Sequence, residues 1–443
     1  MTLCTRASAR VMVLACSIAV AMGSPTDTYA CTSGGAMNVA TVDGRPIIWQ
    51  NMDWGDHKVI LRKYEGSGGK HDVLEIVKFG SYAWNGLNSQ GLAQVINRLS
   101  VLGGTGSLGT VSMKIQRECA SIADVRSYLK TRGVQDIGQN FLVMDKTGKV
   151  ATFEIGPSDF WEYDPTNTMR QQQPYYQIPK LFVVRSNKPF TNKSHQELES
   201  VVNSWAADNT RFRYETARSL FTQKITNGDK LTVEEVIGIA RYGNPGHDAK
   251  SVSRPTIGST TYSIWGPVIH GVKSGEDPKH ATMLVALGLP DYSIFIPAWV
   301  DLSQAELGDN VKTWDASNIA WWSYKLYEDR FDGAADYDNY INGILAKVED
   351  NIIDAVKKAR QSWLANGNTS RFHQEARCRT PCCRTPVCYP RLVRCRTSCC
   401  RTSASGRMGR TSSRMVLARP PRRASWVAAS FPAGETGPRL RGW

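Results

Sequence analysis

Cys31 follows Thr28-Tyr29-Ala30, a small-x-small sequence of the kind that signal peptidase cuts. Upstream, Arg6 and Arg10 supply positive charge and Val11 to Met22 an apolar run, so residues 1–30 read as a secretory signal peptide. Cleavage after Ala30 would make Cys31 the first residue of the mature chain, with a thiol and a free α-amine on the same residue. The amine titrates near ~7.7–8.0 and the thiol near ~8.5, so neither needs a large shift to act at neutral pH. The amine can take the thiol's proton, directly or through one water, and the thiolate can then attack a carbonyl. Such a site needs no histidine partner. Two rival readings of the segment are a membrane anchor and a lipid anchor on Cys31. The apolar run is shorter than the ~20 residues of a span. The preceding Asp27-Thr28-Tyr29-Ala30 lacks the apolar residue that lipid attachment favours.

Acyl transfer also needs groups that orient the amine and donors that stabilise an oxyanion. Asp53, at the end of a strand-like run in Gln50-Asn51-Met52-Asp53-Trp54, offers a carboxylate for the Cys31 ammonium. Asn97 and Asn187 each close a strand-like run and carry amides that donate without titrating. Taken singly, Asp53 also fits a turn and each asparagine a structural place. Asp53, Asp56 and His57 hint at a metal, but no second cluster completes a ligand set, and His71 is remote in sequence. His247 and His270 are isolated and read as surface or core histidines. No Gly-x-Ser-x-Gly element supports a serine hydrolase. Gly66-Ser67-Gly68-Gly69 lacks the following Lys-Ser/Thr of a phosphate loop and reads as a hairpin loop. The sequence therefore calls for no cofactor and no metal.

The elements that must hold these residues are mostly short strands. Residues 37–50 read as a hairpin around Val42-Asp43-Gly44-Arg45. Residues 58–63 and 73–79 flank the glycine-rich loop, and Trp84 to Asn97 reads as strand, tight turn, strand. Spacing predicts a helix over 111–133, then a hairpin of Gln139–Asp145 and Val150–Glu154, with further strands at Trp161–Tyr163 and Leu181–Val184. Residues 195–222 and 232–241 read as helices, the second opened by Thr232 with Glu234 and Glu235 behind it. Strands follow at 260–268, 281–287 and 292–297, and Asp338 to Trp363 carries one amphipathic helix. The pattern is α+β with mainly antiparallel sheets, because hairpin turns dominate the connections.

The chain has 443 residues, 41% of them apolar, and a net charge of +14. That surplus sits wholly in residues 376–443, which hold fifteen arginines, no lysine and one glutamate. The remainder is charge-balanced, so the main body has no electrostatic basis for nucleic-acid binding. Seven of the eleven cysteines share that tail, where a Cys-Arg-Thr theme repeats without packing periodicity. It reads as a disordered tail of the kind out-of-frame translation yields, with a functional arginine-rich segment as the rival.

Together, Cys31-Thr32-Ser33 after a signal, Asn51-Met52-Asp53-Trp54, Gly86-Leu87-Asn88-Ser89-Gln90-Gly91-Leu92 leading to Asn97, and Ser186-Asn187 resemble the choloylglycine hydrolase superfamily of N-terminal nucleophile amidases. That superfamily includes penicillin V acylases and bile salt hydrolases. Gly86–Asn97 and the strand 282–297 look nearer the acyl-CoA:6-aminopenicillanate acyltransferase-like branch. The resemblance covers roughly residues 31–370. It implies a four-layer αββα sandwich, with Cys31 as nucleophile, Asp53 holding the terminal amine, and Asn97 and Asn187 around the nucleophile and oxyanion. The later active-site arginine of the family would be Arg254, although the residues around it match poorly. Gln50 stands where bile salt hydrolases carry an arginine, which argues against bile salts as substrates. Trp54, Tyr82 and Trp84 would suit an apolar acyl pocket beside Gln50. The implied protein is a secreted or periplasmic amidohydrolase acting on a small-molecule N-acyl amide through an acyl-thioester. An acyltransferase at the same cysteine and a non-catalytic exported binding protein are the alternatives. No nucleic-acid partner for the body and no stable membrane anchor are expected. A homo-oligomer, and whether signal peptidase or self-cleavage frees Cys31, are left open.

Overall fold

β-branched and aromatic runs separated by tight turns form thirteen strands among the described residues. The computed structural model describes residues 30–54, 58–78, 83–99, 109–131, 138–156, 160–163, 181–187, 209–226, 228–242, 252–253, 262–307, 309–312, 318–320, 323–324 and 337–366. Residues 1–29 of the signal-peptide reading of 1–30, the segment 376–443, Tyr82 and Arg254 lie outside them. Among the described residues, no helix is long and apolar enough to cross a membrane.

The first sheet contains β1 (Ala30–Ala36), β2 (Ile47–Trp54), β10 (Phe182–Arg185), β11 (Tyr262–His270), β12 (Thr282–Leu287) and β13 (Ile296–Ala298), in the order β10-β1-β2-β11-β12-β13. The second is a meander of β3 (Val59–Tyr64), β4 (Val73–Lys78), β5 (Ala83–Asn88), β6 (Ala93–Arg98), β7 (Gln139–Met144), β8 (Val150–Ile155) and β9 (Phe160–Tyr163). All strand pairs are antiparallel. Gly91, at φ 79°, closes the β5–β6 turn, where Asn88 Oδ1 accepts from the N–H groups of Gln90 and Leu92.

The sheets pack face to face, with β1 and β2 over β6 and β7. Helices α1 (Thr110–Glu118) and α2 (Ile122–Thr131) cover the second sheet, burying Val111, Ile115, Val125 and Leu129 in the largest core cluster. Helices α3 (Asn209–Thr226) and α4 (Val233–Arg241) cover the first sheet through Tyr214, Ala217, Phe221, Val236 and Ile237. A short α5 (Asp309–Lys312) lies by β3, and the long α6 (Tyr337–Asn366) by β13. The result is the expected αββα sandwich. Its sheets approach closely at Gly35, where a Cβ would stand 2.9 Å from Ile48 Cγ2 and 3.0 Å from Val150 Cγ1.

Three expectations need correction. Residues 37–50 are not one hairpin. Asn38–Ala40 is a 3₁₀ turn, and β1 pairs with β2 across a longer connection. Local bonds win there: Thr41 Oγ1 donates to Asn38 O and Arg45 O, and Asp43 Oδ1 accepts from the Arg45 N–H. The helix over 111–133 is two helices. Asn88 Nδ2 caps the first by donating to Gln116 O and Cys119 O, and the Ser121 hydroxyl accepts from the Asp124 N–H at the start of the second. The last strand is Ile296–Ala298 rather than 292–297, since Tyr292 turns back to bond Leu289 O. The helix expected over 195–222 is described only from Asn209 onward and runs to Thr226.

Candidate active site

Cys31 lies in an interior strand of the first sheet, between β10 and β2, and is fully buried. Strand register sets its neighbours. Cys31 pairs with Met52, and its Sγ lies 3.2 Å from Met52 Sδ. Ser33 pairs with Arg185, so two residues further along the antiparallel pair Asn187 comes opposite Cys31. The Cys31 main-chain N–H donates to Asn187 Oδ1 at 2.5 Å, and Asn187 Nδ2 donates to Arg98 O at 2.8 Å.

The period-2 alternation of strands divides the other candidates between two faces. Thr32, Asn51 and Asp53 face the helix-covered side. There Arg213, from α3, donates through Nη1 to Thr32 Oγ1 at 2.7 Å and through Nη2 to Asn187 Oδ1 at 3.2 Å. The same guanidinium sits 3.5 Å from Asp53 Oδ2, both side chains being buried. Ser263 Oγ donates to Asp53 Oδ1 at 2.6 Å. A register shift between Ser263 and Trp265 in β11 marks this point, a bulge that sets Ser263 against Asp53. Asn51 Nδ2 donates to Ala240 O and Val252 O and ties β2 to the end of α4.

Cys31, Ser33 and Gln50 face the opposite sheet. Asn97 Nδ2 donates to Ser33 Oγ at 2.8 Å, and Gln50 Nε2 donates to Asn97 Oδ1 at 3.0 Å and to Ile96 O. Asn85 Nδ2 donates to Gln50 Oε1. Gln50 and Asn97 thus brace the two sheets beneath the cysteine. Trp54 meets Trp84 edge to face at 5.2 Å, with Lys78 Nζ 4.5 Å from the Trp54 ring.

Burial pushes the Cys31 thiol up to about 11, and the Asp53 charge adds to that. The Arg98 main-chain N–H, the Arg213 guanidinium and the Asn187 side chain pull the other way. In the chain with residue 30 still attached, the thiol is therefore protonated at neutral pH. Three groups that favour a thiolate already surround the sulfur, and Asn187 also holds the nitrogen of the same residue.

Cys31, Asp53 and Asn187 come together, while Asn97 and Gln50 stand behind the sulfur on the inter-sheet side. The sequence reading missed Arg213 and Ser263. A signal for Arg213 existed: it lies on the buried stripe of α3 with Tyr214, Ala217 and Phe221, where a charge needs a partner. The bulge that brings Ser263 to Asp53 has no counterpart in the local sequence. Among the described residues, no group of three or more His, Cys, Asp or Glu side chains could hold a metal ion.

No protein-family model matches the chain, and no curated protein matches it. Solved structures similar to it include penicillin V acylase from Agrobacterium tumefaciens, at 14% identity over 63% of this chain and 89% of that one, with a TM-score of 0.38. A mutant of conjugated bile acid hydrolase from Clostridium perfringens shares 14% identity over 61% of this chain and 92% of its own, with a TM-score of 0.43. The N-acylethanolamine-hydrolyzing acid amidase ortholog of Caenorhabditis elegans shares 12% over 54% and 92%, at 0.35. These are members of the superfamily that the sequence motifs resemble. With TM-scores below 0.5 they decide neither the fold nor the chemistry of this chain.

Proposed function

We propose that this chain is an exported amidohydrolase that cleaves linear, non-peptide C–N amide bonds of small N-acyl compounds, with Cys31 as nucleophile. One observation carries the reading. Nitrogen and sulfur of one residue are both held, the nitrogen by Asn187 and the sulfur beside the Arg98 N–H, with Arg213 and Asp53 adjacent.

Removal of residues 1–30 turns the Cys31 amide nitrogen into an amine, still within reach of Asn187 Oδ1. The amine accepts the thiol proton, which lifts the penalty that burial places on the lone thiol. The thiolate attacks the substrate carbonyl carbon, and the Arg98 N–H and the Asn187 amide are the donors nearest the developing oxyanion. The C–N bond then breaks, the ammonium returns its proton to the leaving nitrogen, and an acyl-thioester remains. Water adds to it and releases the carboxylic acid. Arg213 and Asp53 hold opposite charges beside the amine, Asp53 favouring its protonated form and Arg213 its neutral one. Gln50 spends its amide on Asn97, Ile96 and Asn85, which fits a site that does not recognise bile salts through that position.

The test combines N-terminal mass spectrometry of the secreted protein with hydrolysis of a panel of N-acyl amides. Active material should begin at an unmodified Cys31, and Cys31→Ala should lose hydrolysis by a factor of about 10³ or more. Activity in Cys31→Ala, or in protein that retains residues upstream of Cys31, would reject the reading.

A further inference from the structure

A second site lies at the other end of the first sheet. His270 pairs with Ile47 and Asp53 with Ser263 along the same two strands, so about 20 Å separates this region from Cys31. Here the β1–β2 connection, β11, β12, α4 and α6 enclose a cavity of about 310 Å³. That volume is at the small end of ligand sites, which run from roughly 300 to 1,000 Å³.

Arg360 of α6 stands in its wall and is 6% exposed. Its Nη1 meets His270 Nδ1 at 3.2 Å, and its Nη2 donates to His280 O at 2.8 Å and Thr282 Oγ1 at 2.9 Å. Its Nε–H is buried without a partner among the described residues, and none of their carboxylates forms an ion pair with it. The neighbouring acids are committed elsewhere. Asp43 bonds Arg45 and His270, Glu276 bonds Arg45, and Glu234 pairs with Lys357. Among the lining residues Arg45, Lys273 at the exposed rim, Lys357 and Arg360 are cations and Asp43 is the one carboxylate; Glu276 and Glu234, outside that lining, pair with Arg45 and Lys357 and leave a surplus of one positive charge. Burial, with Arg45 close by, brings Arg360 down to about 10 against the pull of the Asp43 and Glu276 charges, so it is still a cation at neutral pH. A buried guanidinium with no carboxylate in direct contact is costly unless an anion reaches it. The remaining wall is apolar: Leu284, Ile353 and Val356 inside, and Leu364, 51% exposed, at the mouth.

We propose that this cavity binds a small amphiphilic monoanion, a carboxylate on a short apolar chain, with the carboxylate on Arg360 and the chain against Leu284, Ile353 and Val356. The single surplus charge selects a monoanion over a phosphate dianion, and the apolar wall selects a hydrocarbon body over a bare ion. The proposal does not rest on the chemistry at Cys31.

The experiment is calorimetric titration of the full chain carrying Cys31→Ala, so that turnover plays no part. Octanoate is the probe, with octanamide and inorganic phosphate as comparisons. Octanoate should bind, while octanamide and phosphate bind at least about tenfold more weakly. Arg360→Met and Leu364→Glu should each weaken octanoate about tenfold or more, and Lys273→Ala by a few-fold. Leu364 and Lys273 are exposed, so those two variants decide the matter if Arg360→Met does not fold. Failure of octanoate to bind overturns the proposal. So does affinity unchanged in Leu364→Glu and Arg360→Met, octanamide binding as tightly as octanoate, or a preference for phosphate.

Discussion

Arg213 and Arg360 are both buried arginines on helices that pack against the first sheet, near opposite ends of β2. Their surroundings differ in kind. Arg213 lies 3.5 Å from the Asp53 carboxylate and shares Asn187 with the nitrogen of Cys31. Arg360 bonds a histidine ring, a hydroxyl and a carbonyl, and among the described residues no carboxylate bonds it, the Asp43 and Glu276 charges acting from farther away. A buried cation with its own anion is part of a completed internal arrangement. One held only by neutral groups keeps the capacity to bind an anion from outside. The two ends of one sheet thus have different uses, although each is built from arginine, Asp, Asn or His, and a hydroxyl.

Stability measurements put this contrast at risk. The largest effect belongs to Arg213→Met, which leaves Asp53 buried without its cation and should cost about 3–5 kcal/mol in urea unfolding. Adding Asp53→Asn to it should recover part of that loss, and a double variant as unstable as the single one would argue against the pair. Arg360→Met should cost less, about 1–2 kcal/mol, because the hydrogen bonds it loses are offset by removal of an unbalanced buried charge. Equal losses at the two ends would erase the distinction.

The pH dependence of stability is a smaller effect. Burial and the Arg360 charge hold His270 below its ordinary value, against the pull of Asp43. Its neutral form therefore contributes stability that is complete above ~6.5 and is lost as pH falls through the lower folded value. Burial opposes the shift of Asp43, but His270 and Arg45 together bring its carboxyl well below the usual range. That contribution is present above ~3.9 and disappears only in stronger acid. His270→Gln should therefore flatten the decline of the urea midpoint between about pH 7 and 5 while leaving the strongly acid limb in place. The smallest expected effect is that of Thr232→Ala. It removes the capping box with Glu235 at the start of α4, next to the Arg360 cavity, and should cost about 1 kcal/mol without altering the Cys31 end.

Much of the fold was legible because its signals are local. The β3–β4, β5–β6 and β7–β8 hairpins and the Thr232 cap follow from alternation, turn residues and capping chemistry within a few positions. The expectations that failed were those where a side chain's bond displaced propensity. Thr41 and Asp43 turned a β-rich run into a 3₁₀ turn, and Asn88 ended a helix far along the chain. The site was legible in part. Cys31 was nameable from residue type and position and Asp53 and Asn187 from the motif resemblance; Arg213 left only its place on an otherwise apolar helix stripe, and Ser263 left no local signal, since neither neighbours the others in sequence.

Residue order was enough for the layered α+β class, the tight hairpins, and a cysteine set just behind an apolar leader-like segment. These depend on periodicity and on contacts within one turn or one strand. Folding in three dimensions chose which face each polar residue of β1 and β2 occupies, brought an arginine from α3 to Asp53, and used a bulge in β11 to deliver Ser263. It also buried Arg360 beside a cavity and left its guanidinium with no carboxylate in ion-pair contact among the described residues. Strand register and helix docking arise from long-range packing, and a one-residue slip would turn every one of these strand side chains to the other face.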